Sequence, residues 1–231
     1  MTYFRIHSAE TADSMKTLEH ALLSPFDEKN MPLLVSKVFP LWNVSGMSEK
    51  FNRLYVEMII HTNMHQNALQ FEMKNKTSSL QAISFFAHKN DMRSDIWFNS
   101  AVKKLSDSEK TIFTNGRKYL LMMDEKVFSL MGADDLKLCL FISLEKGWGT
   151  RILRESLEKI QNSSSSFSKE NPPLLDAETS HAPRYLWLWT DGECNVSYYI
   201  ENNFELISKE EYKPFSSATV PYMTYIFRKE L

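Results

Sequence analysis

Cysteine is scarce in these 231 residues, with only Cys139 and Cys194 present. Two are too few for a disulfide framework, and neither has a second Cys or a His at metal-ligand spacing, so both read as free thiols in a reducing compartment. No stretch approaches the roughly 20 apolar residues that a membrane span needs. The segment from Met1 to Ser8 lacks the basic lead and continuous apolar core of a secretory signal, so the expectation is a cytoplasmic protein with no membrane partner. Neither sign of charge dominates. Twenty-seven Lys and Arg against 29 Asp and Glu give a formal charge of −2. That leaves no basic field for a phosphate backbone, and nucleic acid is not an expected partner. Also missing are a Gly-x-Ser-x-Gly elbow and a Gly-x-x-x-x-Gly-Lys-Ser/Thr loop, which removes the usual support for serine hydrolase and P-loop chemistry.

What is present is ordinary for a folded α/β protein. The composition is 43% hydrophobic, 13% aromatic and 24% charged, which excludes collagen-like, disordered and membrane-dominated chains. The length prefers one domain with embellishments. We read residues 1–231 as a single unit, with a strand and helices over 1–66 and a sheet core over 67–231.

Alternation over Tyr3–His7 predicts a strand, and Ser8 or Thr11 can cap a helix running to about Glu19. Helical spacing recurs between Met31 and His65, where Phe51, Leu54, Tyr55, Met58 and Ile59 share a face. The runs Ala68–Lys74 and Leu80–Ala87 flank polar residues and predict a hairpin. Helices follow over Ser94–Leu105 and Ser108–Met131, ending near Gly132. Leu136–Ser143 reads as a strongly apolar strand leading through Gly147 and Gly149 into a helix from Thr150 to about Ile160. The serines from Ser163 to Ser168, with Pro172 and Pro173, read as a surface insertion. Strands at Tyr185–Thr190, Phe204–Ile207 and Met223–Phe227, with a short helix over Asn195–Glu201, complete the chain.

The turn containing Gly147 and Gly149 carries chemistry. Its glycines let backbone N–H groups converge at the positive end of the following helix, a geometry that suits a pyrophosphate, and Lys146 and Arg151 add charge at the rim. A tight strand-to-helix connection is the alternative use of such a turn. The unit resembles the acyl-CoA-binding motif of the GNAT N-acetyltransferase superfamily, Gln/Arg-x-x-Gly-x-Gly/Ala. Gly147 and Gly149 match its glycines, whereas Leu144 replaces the usual Gln or Arg and the connection is several residues shorter. A second segment is similar to the end of many members of that superfamily, a Thr, then Asn-Val-x-Phe-Tyr, then Glu-x-x-Gly-Phe. Thr190, Asn195, Val196, Tyr199 and Phe204 fall in its register, with Asn203 in place of the glycine; Asn is the next best residue for left-handed backbone. The two motifs span about residues 136–207.

The resemblance implies a mixed, mostly antiparallel twisted sheet flanked by helices, with an N-terminal helical elaboration and an acyl-CoA bound where two central strands splay apart. It implies N-acyl transfer, with acetyl-CoA or another acyl-CoA as cosubstrate, no metal, an amine acceptor as the other partner and room for a homodimer. Backbone around Phe141, Ile142 and Ser143 would hold the acyl oxygen. Lys146, Gly147, Trp148, Gly149, Thr150 and Arg151 would surround the pyrophosphate, and Asn195 would hydrogen-bond the pantetheine arm or a nearby backbone. Tyr199 would protonate the departing thiolate; a core tyrosine is the competing reading of that residue. Glu72 and Glu145 are the candidate bases, against the ordinary role of exposed carboxylates. The rival overall reading is a catalytically weakened GNAT-like binding module, favoured by Leu144 and the short turn. His61 and His65 stand one helical turn apart but lack the Glu of His-Glu-x-x-His and a third ligand, so a polar helix face is expected there.

Overall fold

The computed structural model describes residues 2–5, 48–63, 65, 68–74, 76, 80–91, 93, 95–143, 146–163, 183–191, 196–212 and 222–231. Expectations for the helix near Thr11, the first part of the Met31–His65 pattern, the serine-rich insertion, Leu144, Glu145, Cys194 and Asn195 lie outside the described residues. In chain order the elements are β1 (Thr2–Arg5), α1 (Glu49–Asn63), β2 (Leu69–Lys74), β3 (Leu80–His88), α2 (Ile96–Val102), α3 (Asp107–Leu130) and β4 (Leu136–Ser143). They continue with α4 (Trp148–Ser163), β5 (Tyr185–Asp191), α5 (Val196–Glu201), β6 (Glu205–Tyr212) and β7 (Tyr222–Glu230). The strands form one seven-stranded sheet ordered β1-β2-β3-β4-β5-β7-β6. Only β4 and β5 run parallel; every other pair is antiparallel. This is the mixed, mostly antiparallel arrangement that the resemblance implies.

Both faces of the sheet are covered, because the strand side chains alternate between two apolar sets. On one face α1, α2 and α3 pack over Ile83, Phe85, Ala87, Trp187 and Ile226. On the other, α4 and α5 contribute Ile152, Leu153, Ile160 and Tyr199 over Phe71, Phe86, Leu138, Leu188 and Phe227. Local chemistry sets the helix ends. Ser106 and Glu109 form a reciprocal capping box that starts α3, one residue before the sequence pattern places it. The Asn63 amide donates to the Ile59 carbonyl at 2.8 Å and closes α1. That stop corrects the expectation for His61 and His65, since only His61 lies on the helix. His61 stacks on Trp97 with ring centroids 4.1 Å apart. His65 is buried, and its Nε2 accepts from Arg93 Nε at 2.6 Å.

Two acidic residues fasten the centre. Asp135 accepts from the Trp187 indole at 2.8 Å, from Gly132 N at 2.9 Å and from Tyr185 N at 3.2 Å, tying the starts of β4 and β5 together. Asp124 of α3 accepts from the Trp189 indole at 2.7 Å and pairs with Lys137 and Arg93. Burial alone would raise the Asp124 pKa, but the two cations beside it outweigh burial and hold it below the usual carboxylate range.

Candidate active site

The pairing of β4 with β5 is short. Leu136 faces Leu186 and Lys137 faces Trp187, and no further pair forms. The cause lies on the other edge of β4. Against β3, Phe85 pairs with Leu140 and Phe86 with Leu138, so Cys139 is an extra residue without a partner. Such a bulge bends and twists the strand that carries it. Its mark is visible in the side chains: Cys139 and Leu140 both pack against the α1 and α3 face, whereas Leu138 and Phe141 pack on the opposite one. From Leu138 onward, the β5-facing edge of β4 has no strand partner among the described residues.

The gap so formed is a cavity of about 140 Å³. Leu138–Ile142 of β4 and Leu188–Asp191 of β5 are its walls, and Tyr199 of α5 borders it on one face of the sheet. On the other face it is roofed by Val56, Ile59, Ile60 and Asn63 of α1 and by Leu120 of α3. Residues from both faces of the sheet therefore line it.

At the far end of β4 the chain turns into α4. Gly147 has φ +88, left-handed backbone that favours glycine. A Cβ on Gly149 would lie 3.3 Å from both Phe141 Cζ and Ser143 Cβ, so glycine lets the first turn of α4 sit against the end of β4. The helix begins at Trp148, two residues earlier than its apolar pattern indicates. Arg151 N bonds to the Gly147 carbonyl at 3.4 Å; the N–H groups of Trp148, Gly149 and Thr150 precede that bond and have no intrahelical acceptor. Lys146, Gly147, Thr150 and Arg151 are exposed. Arg151 spans Trp148, with its guanidinium carbon 5.3 Å from the ring centroid, and pairs with Glu155 at 2.7 Å.

Tyr199 is buried, its ring against Phe204 and Phe227 at 5.4 Å each. The turn after it is closed by Phe204 N donating to the Tyr199 carbonyl at 3.0 Å, with Asn203 at φ +62. Asn203 thus adopts the left-handed backbone that the motif requires there. Of the sequence-predicted residues, Phe141, Ile142 and Tyr199 line the gap, and Gly149 lies against Phe141 and Ser143 at the end of β4. Glu72 does neither. It lies on β2, accepts from Gln70 at 2.8 Å and pairs with Lys74 at 3.1 Å, two strands away.

Two further residues stand at the site. Tyr198, adjacent to the motif tyrosine, stacks on Phe141 with centroids 6.0 Å apart. Burial raises its pKa, and the Thr150 side chain beside it acts in the opposite direction. Asp191 ends β5 and lines the gap with 9% of its surface exposed. Burial pushes its carboxyl up to about 7, and it makes no ion pair with a described residue. Tyr55 of α1 is close enough that burial first, and the Asp191 charge second, raise the Tyr55 pKa. The signal for Asp191 was available, since it immediately follows Thr190 of the second motif, but nothing in one sequence separates it from an ordinary turn aspartate. Cys139 borders the gap as well, with its thiol pushed up to about 11 by burial, which keeps it from acting as a nucleophile at neutral pH. Among the described residues, no group of three or more His, Cys, Asp or Glu is placed to hold a metal ion, and no helix is long and apolar enough to cross a membrane.

No protein-family model and no curated protein sequence matches the chain. Solved structures with a similar arrangement include an acetyltransferase of the GNAT family from Streptococcus pneumoniae, at 10% identity and TM-score 0.45, covering 100% of this chain and 99% of that one. The ribosomal-protein-alanine N-acetyltransferase from Brucella melitensis is 8% identical, with TM-score 0.44 and full coverage of both chains, 100% and 100%. The polyamine N-acetyltransferase of Drosophila melanogaster, which forms N-acetylagmatine, is 8% identical with TM-score 0.46, covering 100% of this chain and 99% of that one. These are likenesses of fold between chains that differ at about nine positions in ten.

Proposed function

We propose that the protein is an acyl-CoA-dependent N-acyltransferase, with acetyl-CoA as the first cosubstrate to test. The observation that carries this reading is the splay of β4 from β5 directly beside the glycine turn that opens α4. An extended pantetheine arm suits a gap whose walls are two strand edges with no strand between them among the described residues. The pyrophosphate suits the N–H groups of Trp148, Gly149 and Thr150 at the positive end of a sixteen-residue helix. Lys146 and Arg151 flank that end, and Asn195 stands in the motif position for the arm.

Transfer of an acyl group needs a held carbonyl oxygen, a proton for the leaving thiolate and a proton acceptor for the amine. Backbone N–H groups over Phe141–Ser143 serve the first role, and the Tyr199 hydroxyl serves the second. Asp191 takes the third. A carboxyl with a pKa near 7 is half ionised at neutral pH, where a base accepts a proton most effectively. The acyl donor enters from the α4 and α5 face and the acceptor from the α1 and α3 face.

The test is acetyl-CoA binding by calorimetry, with Thr150→Asp and Gly149→Glu as the variants. An Asp at position 150 is favourable to the helix itself yet repels a pyrophosphate, so lost binding in a variant of unchanged melting temperature reports the ligand. Gly149→Glu fills the close contact with Phe141 and Ser143 as well as adding charge. Wild-type protein that binds no acetyl-CoA overturns the reading in favour of a non-catalytic binding module.

A further inference from the structure

The acceptor side of the gap has a lining more selective than acyl transfer requires. Its roof is built by α1 and by α3, a 24-residue helix inserted between β3 and β4. α3 is fixed to the sheet by Asp124 on Trp189 and Lys137, by Tyr119 stacked on Tyr212 at 4.9 Å, and by the Lys126–Glu210 pair. A roof so held does not rise easily for a bulky acceptor. Val56, Ile59 and Ile60 of α1 and Leu120 of α3 present hydrocarbon to the chamber.

Few polar side chains face it. The Asn63 amide is engaged with the Ile59 carbonyl, and the Thr190 hydroxyl points to the Asp191 carbonyl at 3.4 Å. Among the described residues that line the chamber, Asp191 is the one carboxylate and there is no Lys, Arg or His. A buried acid beside which no described residue places a cation favours a ligand that supplies one. We propose that the acceptor is a small amine carried on an apolar body, seated beneath α1 and α3 with its nitrogen at the Asp191 carboxylate. This rests on the acyltransferase reading and narrows it. A polyamine would bring a second ammonium into the hydrocarbon, and a peptide N-terminus would bring unpartnered amide groups; both carry a desolvation cost that this lining does not offset.

The chemistry balances with the groups at hand. The Asp191 carboxylate takes one proton from the bound ammonium. The freed nitrogen lone pair attacks the thioester carbon, forming the C–N bond while the C–S bond breaks with its electron pair on sulfur. Sulfur takes the Tyr199 hydroxyl proton, and Tyr199 is restored by the second proton of the new amide nitrogen. Asp191 returns its proton to solvent.

The experiment uses the full chain, with thiol release from acetyl-CoA followed for 2-phenylethylamine, spermidine and an alanine-terminated tripeptide. Calorimetry of each amine and of acetyl-CoA is run beside it on wild type, Asp191→Asn and Val56→Phe. We expect 2-phenylethylamine to exceed the other two by at least about tenfold in kcat/KM, in line with apolar pocket discrimination. Asp191→Asn is expected to lose amine binding, and Val56→Phe to lose it by filling the chamber, while both still bind acetyl-CoA. Equal or better use of spermidine or the peptide would overturn the proposal. So would acetyl-CoA binding with no 2-phenylethylamine bound or acetylated. Asp191-dependent binding of 2-phenylethylamine without acetyl-CoA binding would instead overturn the acyltransferase reading and uphold the amine site.

Discussion

The ammonium of Lys137 lies against the carboxylate of Asp124, and neither side chain reaches solvent, at 0% and 1% exposure. A lysine at the second position of an apolar strand is costly to bury, and Asp124 and the Phe128 ring 5.4 Å from its nitrogen offset that cost. Removing the acid strands two cations. Asp124→Asn is therefore expected to destabilise the fold by about 3–5 kcal/mol. Lys137→Met, which leaves Asp124 paired with Arg93 and replaces the ammonium by an apolar chain, should cost clearly less. Urea unfolding midpoints of the two variants check the order.

Asp191 makes both activity and stability depend on pH. Its folded pKa near 7 lies above the roughly 3.9 of an unfolded aspartate. Below about 4 the carboxyl is protonated in both states. Between about 4 and 7 the unfolded chain releases a proton that the native state retains, so this group subtracts stability as pH rises through that window. Asp191→Asn should accordingly raise the melting temperature by a few degrees at pH 8 relative to its effect at pH 4. The wild-type rate should show an acidic limb with an apparent pKa near 7. Tyr55 is the titratable neighbour on the α1 side, and its own raised pKa keeps it protonated throughout this range.

Two histidines act in the opposite direction. Burial lowers His61 to about 3, and burial first, then the Arg93 and Lys137 charges, lower His65 to about 3. Between roughly 6.5 and 3 the unfolded chain takes up protons that the native state refuses, so stability falls as the solution is acidified. His61→Phe keeps an aromatic ring on Trp97 and removes that proton uptake. Its melting temperature should fall less than that of wild type between pH 7 and pH 4.

Tyr198 and Tyr199 separate by a pair of conservative changes. Tyr199→Phe should retain acetyl-CoA binding and lower kcat by about 10²-fold or more, as expected when a positioned proton donor is lost. Tyr198→Phe preserves the stack on Phe141 and should change kcat little. Single-turnover thiol release distinguishes the two, and the reverse order would move the acid role to Tyr198.

Periodicity made most of the elements legible. The apolar run at Leu136–Ser143, the hairpin around Lys74 and Leu80, and the left-handed Asn203 all stand where local chemistry puts them. Long-range pairing was less accessible. Nothing near Cys139 announces that Phe85 and Phe86 will face Leu140 and Leu138 and leave it unpartnered, because a bulge is decided between two strands. The same applies to β7 lying between β5 and β6. At the site, Gly147, Gly149 and Tyr199 stood out because a turn and a motif mark them. Asp191 became distinctive only when the fold buried its carboxyl opposite α1, and the apolar roof only when α1 and α3 met over the gap. Glu72 failed as a candidate base for a related reason, since its place on β2 says nothing of distance from β4.

The two-residue seam at Leu136–Leu186 and Lys137–Trp187 leaves the sheet as two blades joined at one end, β1 to β4 and β5 to β7. A ligand that fills the slit as proposed would stand in for a missing strand between the blades. Occupancy would then be read in the mechanics of the protein. Amide exchange along Leu138–Ser143 and Leu188–Asp191 should slow together when the slit is filled, while exchange at the seam stays the same.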